Sequence, residues 1–298
     1  MTTVAILGTG RMGSAMAGAL RDAGFDLVLW NRTSAGAERL ASELGGTVVA
    51  TPREAAVAAE VCITMLADGP AVEAVYGGAD GLVAGGRSGT VLVDASTVPP
   101  TTLRPYEAAT RAAGAGLLDA PVSGSVALAR SGKLTLMVGG DVADLERARP
   151  VLDALGPTIF HLGPLGSGAA MKLAVNTVIF GLNGALAEGL VLAEAAGIDR
   201  AAAYEVLATS AVGAPFVGYK RAAFLEPEAT PVAFGLDLAA KDLRLIAGLA
   251  GSLGVAMPQA GTNLAVIAAT AEHDGGARDF SAVADHLRHS GHEEDPPR

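Results

Sequence analysis

The fold is decided near the amino terminus by Val4-Ala5-Ile6-Leu7-Gly8-Thr9-Gly10-Arg11-Met12-Gly13. This apolar run with G-x-G-x-x-G leads into an amphipathic helical window, Arg11–Ala23. In such a strand–turn–helix unit, Gly8 permits a tight turn, Gly10 lets a pyrophosphate approach the backbone, and Gly13 lets helix and strand pack closely. The helix start adds N–H donors and a partial positive charge. The context therefore favours a dinucleotide-binding turn over an ordinary glycine-rich turn.

Beyond this unit, short β-branched runs alternate with helical windows as far as residue 163. The predicted strands are Val4–Leu7, Leu27–Trp30, Val61–Leu66, Thr90–Val93, Leu134–Val138 and Thr158–Leu162. The helical windows are Arg11–Ala23, Ala35–Leu44, Pro99–Ala113 and Asp141–Leu155. Pro150 lies inside the last window and should kink it or end a turn. The alternation predicts an α/β domain of the Rossmann type over residues 1–163, with a mostly parallel sheet covered on both faces.

The composition changes after Gly163-Pro164-Leu165-Gly166, where the β-branched runs end. Helical patterns follow over 168–196, 199–210, 236–253, 258–273 and 280–289. They predict an all-α domain over residues 164–290. The tail 291–298 is polar and proline-ended, and we expect it to be disordered.

The most apolar stretch, 169–196, contains too many polar side chains for a membrane span, and we expect it to be a buried helix. These side chains are Lys172, Asn176, Asn183, Glu188 and Glu194. Val4–Leu7 is too short for a secretory apolar region. We therefore expect a cytoplasmic protein.

Composition narrows the classes of partner. The 298 residues carry a formal net charge of −10, with 50% hydrophobic and 17% charged residues. This is a compact globular composition, and its acidity disfavours nucleic acids and anionic membranes as partners. The single cysteine, Cys62, lies in an apolar run and is expected to be a small buried hydrophobe. No metal site is expected.

The second predicted strand ends in Leu29-Trp30-Asn31-Arg32-Thr33-Ser34. NAD sites usually place an acidic residue here, which binds the ribose hydroxyls and would repel a 2′-phosphate. This chain has a guanidinium beside an amide and hydroxyls instead. Arg32 can bind a 2′-phosphate through two hydrogen bonds and stack on the adenine, or it can be a solvated surface arginine. The pattern favours NADP(H), with NAD(H) as the second cofactor.

Two segments are candidates for the chemistry. The segment Asp119-Ala120-Pro121-Val122-Ser123-Gly124-Ser125 follows an apolar strand and can hold a carboxylate, or form a simple turn with capping serines. Lys172 lies in the first turns of the most apolar helix, with Asn176 one turn later on the same face. At a junction of two domains, its ammonium can protonate an alkoxide that forms during hydride transfer, or merely reach water. A third pair, Lys241-Asp242, would by itself indicate a solvated helix face.

Taken together, these residues resemble the β-hydroxyacid dehydrogenases, which include 3-hydroxyisobutyrate dehydrogenase and tartronate semialdehyde reductase. The resemblance covers residues 3 to 288 and is carried by Gly8-Thr9-Gly10-Arg11-Met12-Gly13-Ser14-Ala15-Met16-Ala17, Asp94-Ala95-Ser96-Thr97, Asp119-Ala120-Pro121-Val122-Ser123-Gly124, Gly166-Ser167-Gly168-Ala169-Ala170-Met171-Lys172-Leu173-Ala174-Val175-Asn176 and Lys241-Asp242-Leu243. Within the family, the chain is most similar to the NADPH-dependent glyoxylate/succinic semialdehyde reductases. That likeness is carried by Trp30-Asn31-Arg32-Thr33, Pro121-Val122-Ser123-Gly124-Ser125, Glu188-Gly189-Leu190-Val191-Leu192-Ala193, Pro215-Phe216 and Asp279-Phe280-Ser281-Ala282-Val283.

The resemblance implies a role for each matching residue. Lys172 would be the general acid/base, supported by Asn176, while Ser123 and the N–H of Gly124 would hold the substrate carboxylate. Further substrate contacts would come from Thr97, Phe234 and Asp242. Cofactor contacts would come from Gly8, Thr9, Gly10, Arg11, Met12, Gly13, Asn31, Arg32, Thr33, Leu66, Thr97 and Lys241. The substrate would be a small aldehyde acid or hydroxy acid, and the assembly a homodimer or homotetramer.

Some residues depart from the family pattern. Ser125 stands where many hydroxyisobutyrate-type members have a second glycine, and 126–133 lacks their usual extra glycine, so the substrate side chain stays open. One alternative on the same architecture is an NADPH-dependent imine reductase, but those enzymes generally lack the lysine and the Pro-Val-Ser-Gly loop present here. Another is an inactive NADP-binding scaffold, against which Lys172, Ser123 and Asn176 are all intact.

Overall fold

The computed structural model describes residues 2–290. Two compact units divide the chain, Met1–Lys172 and Leu173–Arg298. The tail expected to be disordered, 291–298, lies outside the described residues.

The first unit alternates strands with helices. Its strands are β1 Thr3–Leu7, β2 Asp26–Trp30, β3 Thr47–Val48, β4 Val61–Thr64, β5 Val91–Asp94, β6 Gly116–Asp119, β7 Val122–Ser123, β8 Thr135–Gly140 and β9 Thr158–His161. Its helices are α1 Arg11–Asp22, α2 Ser34–Leu44, α3 Pro52–Ala58, α4 Gly69–Tyr76, α5 Leu82–Gly85, α6 Arg104–Ala112, α7 Val126–Arg130 and α8 Val142–Leu155. The sequence patterns missed β3, β7, α3, α4, α5 and α7, because each is too short to show a clear periodicity. They indicated β6 only as the apolar strand that leads to Asp119.

The sheet has the strand order β3-β2-β1-β4-β5-β6-β8-β7, and β9 pairs with β8. The pairs from β3 to β6 are parallel, in a register that aligns Leu7 with Trp30 and Thr64, and Asp94 with Thr64 and Asp119. Strand β8 runs antiparallel to β6 and β7. The carboxyl ends of β2, β1, β4 and β5 therefore meet at one edge, which is where open α/β sheets bind nucleotides.

Both faces of this sheet are buried. Because successive side chains of a strand point to opposite faces, Ile6 packs in one apolar cluster with Leu20 of α1, and Leu7 packs in another with Tyr76 of α4. Cys62 lies in the second cluster, and its burial raises the pKa of the thiol to about 12. The cysteine is therefore a buried apolar residue, as the sequence indicates.

Helix α8 continues through Pro150, so of the two expected effects, a kink or the end of a turn, the second is wrong and the first stays a prediction. Proline removes the N–H that would bond to the carbonyl of Glu146, but Pro150 is exposed, and water can satisfy that carbonyl. Buried Leu145 and Val151 hold the helix on either side of the gap. Packing outweighs the lost hydrogen bond.

Within the described residues, the regular secondary structure of the second unit is helical, apart from an isolated bridge between Gly235 and Asp279. Its helices are α9 Ser167–Ala195, which begins in the first unit, α10 Arg200–Thr209, α11 Pro215–Leu225, α12 Leu236–Leu253, α13 Pro258–Asp274, a 3₁₀ turn at Phe280–Ala282 and α14 Val283–Ser290. The sequence patterns missed α11. The fold class is confirmed: a Rossmann-type domain with a mostly parallel sheet, followed by an all-α domain.

Helix α9 is less buried than expected. By length and composition alone it could cross a membrane, a criterion that core helices of soluble proteins also meet. Of its most apolar window, 28% is buried within the chain. One face packs in the second unit through residues such as Leu173 and Phe180, but Val178 and Leu192 are 70% and 73% exposed. The expectation of a buried helix therefore holds for one face only.

Candidate active site

The glycine-rich turn lies at the carboxyl end of β1, and its close backbone contacts are possible only because Gly8 and Gly13 have no side chains. Gly8 has a φ of +102°, and a Cβ there would lie 2.4 Å from the carbonyl oxygen of Met65. A Cβ on Gly13 would lie 1.9 Å from the carbonyl oxygen of Gly8. A Cβ on Gly10 would meet nothing within 4 Å, so this position borders open space. The steric roles predicted for Gly8 and Gly13 are therefore confirmed, and the approach of a pyrophosphate at Gly10 stays a prediction.

The amino end of α1 fits a phosphate group. No side chain caps this helix and its first turn holds no acidic residue, a combination that suits an anion at the positive amino end of the helix. The hydroxyl oxygen of Thr9 is buried and has no hydrogen-bond partner within the described part of the chain. A buried polar atom without a partner is costly unless a ligand or water satisfies it. These residues fit a dinucleotide pyrophosphate.

Asn31 supports the turn from the end of β2. Its Oδ1 accepts a hydrogen bond from the N–H of Thr9 (3.1 Å), and its Nδ2 donates to the carbonyl oxygen of Thr33 (3.0 Å). The amide expected to contact the cofactor therefore holds two loops together. Its neighbour Arg32 is exposed and forms no ion pair with residues 2–290, so its guanidinium can meet a ligand at this edge.

A buried carboxylate organises the ends of β4 and β5. Asp94 is 1% exposed, and its Oδ1 accepts hydrogen bonds from the hydroxyls of Thr64 and Ser96, both at 2.7 Å. The Ser96 hydroxyl in turn accepts a hydrogen bond from the N–H of Leu66 (2.9 Å). Burial raises the pKa of Asp94, although these hydrogen bonds oppose the rise. Asp94 thereby holds together the two loops that carry Leu66 and Thr97, a role that its position in a strand did not indicate.

The predicted carboxylate loop follows β6. Ser123 and Gly124 are both half-buried, and Ser123 pairs with Thr135 of β8. Gly124 has a φ of +143°, a conformation that favours glycine. Ser125 caps α7 by accepting the N–H of Leu128 (3.3 Å). One serine of the loop is therefore a capping residue, and the preceding serine and glycine form the candidate carboxylate site.

Lys172 is half-buried near the start of α9. The beginning of this helix is held by Asp119, whose carboxylate accepts the N–H groups of Gly166 and Ala169, both at 2.7 Å. Burial raises the pKa of Asp119, and these N–H groups oppose the rise. The helix runs unbroken to Ala195, so Asn176 follows Lys172 by one turn on the same face.

In the second unit, Asn176 and Asp242 form a buried pair. Nδ2 of Asn176 donates to Oδ2 of Asp242 over 2.8 Å, and the residues are 5% and 1% exposed. Nζ of Lys241 lies 3.0 Å from the other oxygen of Asp242. The interpretation of Lys241-Asp242 as a solvated helix face is therefore wrong for Asp242. A helix turns about 100° per residue, which lets one residue of an adjacent pair face the core while the other reaches outward.

The sequence analysis did not predict the buried ion pair between Lys220 and Asp279. Nζ of Lys220 donates to Oδ1 of Asp279 over 2.5 Å, and the lysine side chain is 3% exposed. Oδ2 of Asp279 accepts the N–H of Phe234 (3.2 Å), and the carbonyl of Phe234 accepts the N–H of Phe280 (3.0 Å). The predicted substrate residue Phe234 is half-buried and held at its backbone by this pair.

Two family models match successive parts of the chain. One family model, the NAD binding domain of 6-phosphogluconate dehydrogenase, matches residues 3–163. A second, the NAD-binding of NADP-dependent 3-hydroxyisobutyrate dehydrogenase, matches residues 166–287.

Individual proteins are similar over the whole chain. Glyoxylate/succinic semialdehyde reductase 2, chloroplastic, of Arabidopsis thaliana is 35% identical over 286 residues, 96% of this chain and 79% of the relative. The NAD-dependent L-serine dehydrogenase of Pseudomonas aeruginosa is 34% identical over 290 residues, 95% of this chain and 97% of the relative. The solved structure of Mycobacterium tuberculosis 3-hydroxyisobutyrate dehydrogenase with L-serine has a TM-score of 0.83 and 33% identity, covering 97% of this chain and 99% of that one. The chain is therefore an NAD(P)-dependent oxidoreductase and belongs to the β-hydroxyacid dehydrogenase family.

Proposed function

We propose that the chain transfers hydride between NADP(H) and a small anionic substrate. It reduces an aldehyde acid such as glyoxylate or succinic semialdehyde, or oxidises a hydroxy acid of the 3-hydroxyisobutyrate type. The observation that carries this proposal is the buried hydrogen bond between Asn176 and Asp242, one helical turn beyond Lys172. A buried polar group destabilises a protein unless it has a hydrogen-bond partner. Here the bond to Asp242 orients the Asn176 amide, which lies on the same face of α9 as the half-buried Lys172 ammonium.

Lys172 is the general acid in reduction and the general base in oxidation. The nicotinamide supplies or accepts the hydride when it is bound. In the reductive direction the Lys172 ammonium gives a proton to the carbonyl oxygen, which becomes the product hydroxyl, and the neutral amine then regains a proton from water. Because Nδ2 of Asn176 donates to Asp242, the amide oxygen is the atom left to accept a hydrogen bond from Lys172 or the substrate.

The substrate carboxylate is held by the Oγ of Ser123 and the N–H of Gly124. The half-buried position of both residues, next to the buried Pro121 and Val122, supports this role. A hydrogen bond to a carboxylate is stronger than one between neutral groups, so two such donors suffice to orient a small acid. Thr97, Phe234 and Asp242 complete the substrate contacts.

The cofactor is held by the glycine-rich turn and the ends of the next strands. Thr9, Arg11 and Met12 contact the pyrophosphate together with the three glycines, Leu66 and Thr97 lie along the nicotinamide half, and Lys241 is near the cofactor. Asn31, Arg32 and Thr33 bind the cofactor at the end of β2, where Arg32 receives the 2′-phosphate and so favours NADP(H) over NAD(H). A family relative named NAD-dependent makes NAD(H) the second cofactor to test.

We assign NADP binding to residues 1–163, and substrate binding and dimerisation to residues 164–290. Exposed apolar side chains in the helical unit support a homodimer or homotetramer, because soluble monomers seldom expose large apolar patches. Val178, Leu192 and Val206 are 70%, 73% and 66% exposed. Light scattering on the purified protein tests the assembly. The polar side chains along α9 support a soluble protein, for which we propose a cytoplasmic location.

A substrate screen tests the function directly. NADPH consumption is followed with glyoxylate, succinic semialdehyde, methylmalonate semialdehyde and tartronate semialdehyde, with cyclic imines as the contrast set. Turnover of at least one aldehyde acid by the parent, and its loss in Lys172→Ala, is the expected result. Turnover of the imines alone would contradict the proposal and would favour an imine reductase. That alternative has less support, because relatives more than 30% identical are named as semialdehyde reductases and hydroxy-acid dehydrogenases.

A further inference from the structure

We infer that Asp119 is a positioning residue for the reaction: it fixes the start of α9, and hence Lys172, on the strands that carry the carboxylate loop. The inference rests on the proposed function, in which Lys172 is the general acid/base. All the contacts that carry it lie within the first unit, Met1–Lys172.

Asp119 serves as a distant cap for the helix. The first N–H groups of a helix have no partner inside it and usually bond to a side chain just before the helix. Here Oδ1 of Asp119 accepts the N–H of Gly166, and Oδ2 accepts the N–H of Ala169, both at 2.7 Å. These partners are 47 and 50 residues away in sequence, and Asp119 is only 3% exposed. A carboxylate here is also stabilised by the positive end of the helix dipole.

The helix start also lies directly against the backbone of the sheet. A Cβ on Gly168 of α9 would lie 2.1 Å from the carbonyl oxygen of Met137 and 3.0 Å from Oδ2 of Asp119. A Cβ on Gly139, which pairs with Asp119 across β6 and β8, would lie 2.4 Å from Oδ1 of Asp119. Because Gly168 and Gly139 have no side chains, the start of α9 can lie close enough to β6 and β8 for its N–H groups to reach the Asp119 carboxylate. A side chain at either position would force the helix away from the strands.

The same strands hold the carboxylate loop. Asp119 ends β6 and is followed after three residues by Ser123, and the N–H of Met137 in β8 donates to the carbonyl of Pro121 (3.1 Å). Lys172 follows Ala169 by less than one helical turn, and a helix rises about 1.5 Å per residue. A shift at Ala169 therefore moves the Lys172 ammonium relative to Ser123. A displacement of about 1 Å from the reacting geometry can lower a rate about 100-fold.

A double-mutant cycle separates this role from simple stabilisation of the helix. We compare the parent, Asp119→Asn, Lys172→Ala and the double variant with NADPH and either glyoxylate or succinic semialdehyde, normalising kcat to the concentration of NADPH-binding sites. We expect Asp119→Asn to lower kcat by about 10- to 100-fold while the Kd for NADPH changes by less than about twofold. In the Lys172→Ala background the same substitution should have almost no further effect, because the group it positions is absent.

A second variant tests the same role in case the Asp119→Asn protein does not fold. Gly168→Ala pushes the helix start from the other side, and Gly181→Ala is the matched control on the same helix, since its Cβ would meet only an ordinary contact at 3.9 Å. We expect Gly168→Ala to lower kcat in the parent but not in the Lys172→Ala background, and Gly181→Ala to do neither.

The possible failures are distinguishable. If Lys172→Ala keeps the parent kcat, the proposed function is wrong. If Lys172→Ala loses activity, but Asp119→Asn and Gly168→Ala leave kcat unchanged or lower it equally in both backgrounds, only the positioning role of Asp119 is overturned.

Discussion

The carboxylate of Asp242 accepts a hydrogen bond of 2.8 Å from the side-chain amide of Asn176, and both side chains are buried. Asp242→Asn replaces a charge-assisted hydrogen bond with a neutral one and lets the Asn176 amide rotate. Such a bond contributes about 1.5–3 kcal/mol, so we expect kcat to fall at least tenfold with little change in the Kd for NADPH. Asp237→Asn, an exposed carboxylate on the same helix, is the control. Equal kcat values in the parent and Asp242→Asn would show that the pair has no part in the reaction.

Lys172→Ala removes the proposed proton donor. General acid/base groups typically contribute about 10²- to 10⁴-fold to a rate, and we expect kcat to fall by that factor while NADPH binding, measured by fluorescence titration, stays near the parent value. Lys133→Ala removes an exposed lysine of the first unit and should leave both quantities unchanged. A Lys172→Ala protein with parent activity would exclude this lysine as the acid.

Arg32→Asp tests the cofactor assignment. A carboxylate at this exposed position repels the 2′-phosphate and can accept hydrogen bonds from the ribose hydroxyls of NAD(H). We expect the KM for NADPH to rise at least about tenfold and the ratio of NADPH to NADH efficiency to fall. Arg39→Asp makes the same charge change on the exposed face of α2 and should leave that ratio unaltered. Identical ratios in the parent and Arg32→Asp would contradict phosphate recognition by Arg32.

Lys220→Met tests the buried ion pair with Asp279. Removing one partner of such a pair leaves an uncompensated charge and destabilises by about 3–5 kcal/mol, which is measurable by urea unfolding at pH 7. Arg21→Met, which removes an exposed pair with Asp26, should cost less than about 1 kcal/mol.

The pH dependence of this effect has a definite sign. Burial alone would raise the pKa of Asp279, but the charge of Lys220 and the hydrogen bonds bring it below its ordinary value. A carboxyl with a lowered pKa stabilises the fold above its unfolded-state pKa, and this contribution is lost as pH falls through the folded-state pKa. In Lys220→Met the buried Asp279 instead becomes protonated more readily. We therefore expect the difference in unfolding free energy between parent and variant to shrink between pH 7 and pH 4, and a constant difference would contradict this account.

The features that sequence alone determined are those with a local physical signature. G-x-G-x-x-G between an apolar strand and a helix indicates the nucleotide turn, because a side chain at any of the three glycines would hinder the tight turn, the approach of the pyrophosphate or the packing of the helix on the strand. The alternation of strand and helix periods predicts the parallel sheet, and the loss of β-branched runs after Gly166 predicts the helical domain. Arg32 and Lys172 stand out because a cation at a strand end or in an apolar helix is unusual for its surroundings.

Only the tertiary structure decided which polar groups pair over long distances. Asp119 accepts a hydrogen bond from Gly166, 47 residues later at the start of α9, and Lys220 pairs with Asp279 across 59 residues. Asn31, which the sequence predicts as a cofactor contact, also supports the glycine turn, and Pro150 lies on the solvent side of a helix that continues through it. Local sequence carries no period or propensity that reports a partner so far away, because such pairs form only when packing brings separate elements together and removes water from between them.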